Sequence, residues 1–364
     1  GVKAQSWSSG FSEKGTLAVK TVPEIIIIDD HPASGELLQR IRTIKNNFPQ
    51  IALLVVSENK DPQHIIDAMK SGAAEYLVAP VKEQTLLNAV EDVRARLVSS
   101  GQIARGSVYS FISAKGGVGA TVLAVNTATA LALDKNSSAA LIDMSFQSGD
   151  ASVLLDLTPQ NTITDICSNF HRLDFSFLRG VMVRHASGLD FLAAPFDPED
   201  SEGICVEHIE KIIGIARKLY DHTVLDCTSM HINDCSVEAF RASDKVFVVT
   251  DMSVPSIRNT VRLCKLIVKL GVPREKIEIV INRYIKGGAL SLGEIEKNFD
   301  KTVYWLVPND FADIVSSINR GVPLAKMSPG APFSKNITQF TKKIRNTLDD
   351  PDFRGIRGTF GKSL

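Results

Sequence analysis

The sequence predicts an α/β protein of two successive units, each built on a parallel β-sheet. Three observations carry that prediction. Short apolar runs alternate with segments of helical periodicity along nearly the whole chain, the pattern of helices laid on the faces of a parallel sheet. A small, polar stretch, "SSGQIARGS", interrupts the alternation between Ser99 and Ser107 and reads as a linker. A glycine-rich turn, "AKGGVGAT", then follows the first strand of the second unit and opens a helix.

Residues 1–22 carry no clear pattern. From residue 23 to residue 98 the runs "EIIII", "IALLVVS" and "EYLVA" read as strands, and "GELLQRIRTIKNNF", "PQHIIDAMKSG" and "EQTLLNAVEDVRARL" as the helices between and after them. Residues 99–107 are the linker. From residue 108 to residue 348 the strands are "VYSFIS", "AALID", "LDFLAA", "HTVLD", "KVFVVT", "IEIVIN" and "VYWLV", separated by helical stretches such as "EHIEKIIGIARKLY". Seven apolar strands buried on both faces predict a doubly wound parallel sheet. Residues 349–364 form a glycine-rich tail, and no internal repeat is visible.

Composition narrows the function classes. The 364 residues are 44% hydrophobic, enough for more than one core, and Lys plus Arg equals Asp plus Glu at 41 each. With zero formal net charge, no global field draws the molecule to nucleic acid or anionic lipid. The five cysteines are odd in number and contain no C-x-x-C pair, which fits a reduced, cytoplasmic setting better than a disulfide framework. The longest apolar runs have strand length, and no stretch reads as a signal peptide. The chain opens on Gly1 rather than Met, which suggests that a native start has been removed.

The loop from Ala114 to Thr121 carries the chemistry. A strand, a glycine turn and a helix N-terminus together aim main-chain N–H groups and the positive end of a helix dipole at one point, which is how a phosphate chain is held without a side chain. Gly116, Gly117 and Gly119 let the backbone come close, and Thr121 places a hydroxyl where it can meet Mg²⁺. The pattern G-x-x-x-x-G-K-[ST] fails at Ala114 and at Ala120, where the first glycine and the lysine belong. A tight turn that binds nothing is the bland alternative; its placement between strand and helix favours a nucleotide. Asp143 and Asp226 end parallel strands and face the crevice where such sheets bind ligands, though strand-end aspartates also serve as caps. Asn282 and Arg283 can equally be a turn and a surface charge.

"AKGGVGAT" resembles the deviant phosphate loop of the MinD/ParA ATPases, in which a lysine at the position of Lys115 reaches across a nucleotide-sandwich dimer. "LIDMSFQSGD", "YDHTVLDCTS", "VINRY" and "VPND" follow in that family's order. The resemblance implies ATP with Mg²⁺ as ligands and a homodimer as the working state. It implies Lys115, Gly116, Gly117, Val118, Gly119, Ala120, Thr121, Asn282, Arg283 and Pro308 as nucleotide contacts, the last three around the base. Thr121, Asp143 and Asp226 would serve the metal, and Lys115 and Asp143 the chemistry. Ser145 stands where active relatives carry a second aspartate, so slow or absent hydrolysis is expected.

From Ser107 to Leu348 the chain is most similar to the TadZ/CpaE branch, on "SVPSIRNTVRL", "VINRYIKGGALSLGEIEKNF" and "VPNDFADIVSSINRGVPL". That branch implies a role in tight-adherence (Flp, type IVb) pilus assembly at a cell pole, with components of that secretion system as partners. It also carries a receiver-like (flavodoxin-like) first domain. Here "PEIIIIDD" resembles a receiver's third strand, with Asp29 at the phosphoacceptor position, Ser57 at the end of the next strand, and Ala79 where a lysine is usual. Only 28 residues precede Asp29 and no acidic pair lies among them, so this domain reads as incomplete at its start and as an adaptor rather than a phosphotransfer module.

Two other readings compete: a ParA-like DNA-partition ATPase and an atypical response regulator. The basic residues Arg258, Arg262, Lys265 and Lys269 recur at helical spacing opposite Ile257, Val261, Leu266 and Ile267, a solvated face or a docking surface for DNA, lipid or an acidic partner. Neutral overall charge argues against DNA. The tail "FRGIRGTFGKSL" has too many glycines for a stable amphipathic helix, which leaves peripheral membrane association without direct support.

Overall fold

The computed structural model describes residues 23–30, 36–100, 106–134, 137–227, 232–287 and 290–349. The segment 1–22, most of the linker and the tail beyond residue 349 lie outside the described residues, and so does the expected incompleteness of the first domain. The chain divides into two units between Arg105 and Gly106.

In the first unit β1 (Ile25–Asp29), β2 (Ala52–Ser57) and β3 (Glu75–Val78) pair in parallel in chain order. Helices Leu37–Asn47, Pro62–Lys70 and Glu83–Ser99 connect or follow them. The second of these starts where Asp61 accepts the Gln63 N–H, with proline at the first helical position. Ile26, Ile28, Ile41, Leu53 and Val55 fill one face of the sheet, and Ala52, Leu54, Val93 and Leu97 fill the other.

Asp29 is exposed, while its neighbour Asp30 is 2% exposed and accepts a hydrogen bond from the Ser57 hydroxyl at 3.1 Å. The pleat explains it: Asp29 shares the phase of exposed Ile27, whereas Asp30 falls in line with buried Ile26 and Ile28.

The second unit holds β4 (Ser107–Ser113), β5 (Ala139–Asp143), β6 (Val183–Arg184), β7 (Asp190–Leu192), β8 (His222–Asp226), β9 (Lys245–Thr250), β10 (Ile277–Tyr284) and β11 (Trp305–Pro308) in one sheet. The strand order is β11-β10-β9-β4-β8-β5-β7-β6. Seven strands are parallel, as expected. An eighth, β6, pairs antiparallel with β7, opposing Val183 to Phe191 and Arg184 to Asp190. Two residues are too few to show a period, so nothing in the sequence announced it.

Because β4 is central, the chain leaves it toward β5 and β8 and later returns on the other side through β9 and β10. The carboxyl ends of those strands lie on one edge of the sheet, the edge at which open α/β sheets take their ligands. Helix Ala120–Ala132, which leaves β4, is buried on nearly every side. Its small and aliphatic residues, among them Ala124, Ala128 and Leu131, pack into a core shared with Phe111, Phe247 and Phe340. Phe247 lies 5.0 Å, centroid to centroid, from each of the other two rings. Among the described residues no helix is long and apolar enough to cross a membrane.

His222, the first residue of β8, sits under Tyr109 with ring centroids 6.1 Å apart. Burial, assisted by the Arg345 guanidinium, pushes its pKa down to about 4. The folded state therefore prefers the neutral ring. That preference contributes fully above the unfolded pKa of about 6.5 and is lost as pH falls toward 4, a cost of about 3 kcal/mol. In thermal melts recorded across this range, His222→Gln should flatten the acid limb relative to the parent chain.

Candidate nucleotide-binding site

The loop after β4 turns through two left-handed glycines, Gly117 at φ 77° and Gly119 at φ 94°. Gly119 is the residue that precedes helix Ala120–Ala132, and it brings no side chain to cap the first-turn N–H groups. A Cβ there would come within 2.7 Å of the Asn282 amide nitrogen. Val118 and Ala120 each have 1% exposure, so Ala120 faces the core and can offer a ligand only its main chain. Thr121 is half-buried.

Asn282 and Arg283 arrive from β10, where the register with β11 shifts between Ile281 and Tyr284. Asn282 donates from Nδ2 to the Val118 carbonyl at 2.8 Å, and its Oδ1 accepts the Arg283 N–H at 2.9 Å. Arg283, at φ 54°, donates from Nη2 to the Gly117 carbonyl at 3.0 Å and lies over the Phe311 ring at 5.6 Å. Pro308 ends β11 opposite Tyr284. The structure thus brings Asn282 and Arg283 to the edge of the loop and adds a task that the sequence did not show: they brace two of its carbonyls, while Pro308 is placed only beside Tyr284 on the neighbouring strand.

Asp143 and Asp226 are register partners at the ends of β5 and β8. They are 1% and 0% exposed. Asp143 accepts the Ser145 N–H at 2.9 Å and the Ala151 N–H at 3.4 Å, so it organises the turn after β5. Gly149 is required there, since a Cβ would lie 2.9 Å from Asp143 Oδ2. Burial first, and the Asp226 carboxylate second, hold the Asp143 pKa well above the usual carboxylate range, with the two N–H donors opposing. Ser145 is buried beside them. A buried carboxylate whose proton affinity is raised by a neighbouring carboxylate beside a phosphate-type loop fits a divalent cation, whose charge would relieve the repulsion.

Lys115 is half-exposed and pairs with Asp251 Oδ2 at 3.7 Å. Burial pushes the Asp251 pKa up, but the Ser253 hydroxyl and N–H, and then Lys115, outweigh it and hold the carboxyl below its ordinary value. Asp251 follows the last residue of β9 and was not singled out from the sequence. Its position at the carboxyl end of a parallel strand was the available signal.

No family model matches the chain. The septum site-determining protein MinD of Thermotoga maritima is 24% identical over 247 residues, which cover 66% of this chain and 88% of that protein. A solved ParA family ATPase from Chlorobium tepidum TLS superposes with a TM-score of 0.62 at 29% identity, covering 65% of this chain and 98% of its own. The chain is related to the MinD/ParA ATPases. The MinD protein of Pyrococcus horikoshii OT3, solved with Mg-ADP, shares the fold with a TM-score of 0.57 at 17% identity, covering 70% of this chain and all of its own. The loop carries Lys115, Gly116, Gly117, Gly119 and Thr121, with Ala120 where the pattern G-x-x-x-x-G-K-[ST] has its lysine.

Two substitutions test the geometry. Gly119→Ala should cost about 1–3 kcal/mol in urea unfolding, because it combines a disfavoured φ with a clash on Asn282. Asp226→Asn removes the like charge beside Asp143. Since a carboxyl with a raised folded pKa destabilises the fold increasingly as pH rises above the unfolded value, the gain should be largest at alkaline pH. Melts near pH 8 without metal should show the variant more stable than the parent chain, together with loss of any stabilisation by Mg²⁺.

Proposed function

We propose that this chain is an ATP-binding localisation and assembly factor for the tight-adherence (Flp, type IVb) pilus system, which dimerises with ATP and hydrolyses it slowly or not at all. The observation that carries the reading is the split in its site. The parts that bind are present: main-chain amides at a braced glycine turn, Thr121, and a carboxylate pair suited to Mg²⁺. The parts that accelerate phosphoryl transfer are reduced, with Ala120 packed in the core and Ser145 in place of a carboxylate.

In this reading Gly116 to Thr121 cradle the phosphates by backbone N–H groups, and Thr121, Asp143 and Asp226 hold Mg²⁺, which would neutralise phosphate charge. Asn282, Arg283 and Pro308 border the base. Lys115 leaves Asp251 and contributes its ammonium to the nucleotide of a second copy. A ligand that binds the dimer more tightly than the monomer shifts the balance toward the dimer, with no chemistry required. The relationship to positioning ATPases and the ordered TadZ/CpaE-like segments support a cytoplasmic site of action at a cell pole, with pilus secretion components as partners and the receiver-like unit as adaptor.

Sedimentation with and without Mg-ATP, with phosphate release followed in the same samples, tests the biochemical core. ATP-dependent dimers with little phosphate are expected, and Lys115→Ala should keep ATP uptake but lose the dimer. Brisk turnover, or no calorimetric heat of ATP uptake by folded protein, would overturn it. The cellular part fails if Lys115→Ala leaves Flp pili and polar foci unchanged.

A further inference from the structure

The ATPase-type unit carries a second concave feature, distant from the loop. Helices Val254–Lys269 and Leu292–Phe299 leave a groove of about 530 Å³ beside the amino-terminal half of β10. Cys264, Val268, Ile279 and Phe299 give it an apolar floor, and Lys265, Lys269, Arg274 and Lys301 ring it with positive charge. Arg274 and Lys301 are committed to Asp300 and Glu278, at 3.1 and 2.8 Å. Lys265 and Lys269 are exposed and meet no carboxylate among the described residues. Leu266, expected on the inner face of this helix, is instead 44% exposed, so the outer surface is both apolar and basic.

The chain also contains the complement of this groove. After β7 the backbone presents Phe196, 63% exposed, followed by Asp197, Glu199, Asp200 and Glu202, all exposed on the turn Pro198–Gly203. An aromatic side chain left in water among four carboxylates matches an apolar floor ringed by cations in both shape class and charge. It cannot reach its own groove. Four strands separate β7 from β10 in the sheet, which at the usual strand spacing is about 24 Å, and the turn lies at the carboxyl end of β7 while the groove flanks the amino end of β10.

We propose that the Phe196 turn of one molecule docks in the Lys265/Lys269 groove of the next, so that copies of this chain associate head to tail. The two surfaces differ, so the contact is heterologous and propagates into a ring or a filament rather than closing as a two-fold dimer. It needs no nucleotide and stands independently of the ATP reading above. Duplex DNA would use the cations but not the apolar floor, and a flat membrane surface would not enter a recess between two helices.

The test is sedimentation velocity of the full chain without nucleotide, from micromolar to hundred-micromolar concentration, at about 50 mM and about 500 mM salt. Mass should grow with concentration and shrink with salt. Phe196→Ala should weaken association about tenfold or more, and so should Lys265→Glu with Lys269→Glu; thermal melts of both variants confirm folding. The first variant keeps its groove and the second its turn, so an equimolar mixture should form a one-to-one complex and nothing larger. A chain that stays monomeric throughout, an association that neither variant alters, or a mixture that fails to pair would overturn the proposal. So would a groove that binds anionic vesicles or duplex DNA while the chain shows no self-association.

Discussion

One side-chain amide couples the phosphate-type loop to the sheet. Asn282 lies 164 residues beyond Val118 in the chain, yet its Nδ2 holds the Val118 carbonyl while its Oδ1 holds the Arg283 N–H. The second bond sits in the register shift of β10, where Arg283 takes a left-handed backbone and turns its guanidinium toward Gly117. Gly119 completes the arrangement by lacking the Cβ that would displace the amide. A loop that must present bare N–H groups to an anion cannot be stabilised through those same groups. Bracing it through its carbonyls leaves the donors available.

The charges around the loop are arranged as two unequal pairs. Asp143 and Asp226 repel each other at adjacent strand ends, a cost that a cation would remove. Lys115 and Asp251 attract, but at 3.7 Å and with a half-exposed ammonium the pair is weak enough to exchange. The molecule thus holds two like charges at adjacent strand ends and a lysine on a replaceable partner.

Much of this was legible in the primary structure because it depends on local patterns. The seven parallel strands and the glycine turn each show in a short window, through a continuous apolar run or a run of small residues. What was missed lacks such a window. The two-residue β6 has no period, and Asp251 is one acid among many until β9 sets it beside Lys115. That Asp30, and not Asp29, meets Ser57 is a question of pleat phase, which "IIIIDD" cannot reveal when every preceding residue is isoleucine.

The sequence by itself determined the architecture, the phosphate-type turn with alanine in place of lysine, and the order of the strand-end carboxylates, because each follows from chain-local chemistry. The tertiary structure decided what those residues face. Strand order and register together put Asp143 against Asp226, Asn282 against Val118, and Lys115 against Asp251. Folding likewise set the exposed Phe196 turn beyond reach of the basic groove it matches. Contacts between distant segments are properties of strand order and register, and a linear pattern carries neither.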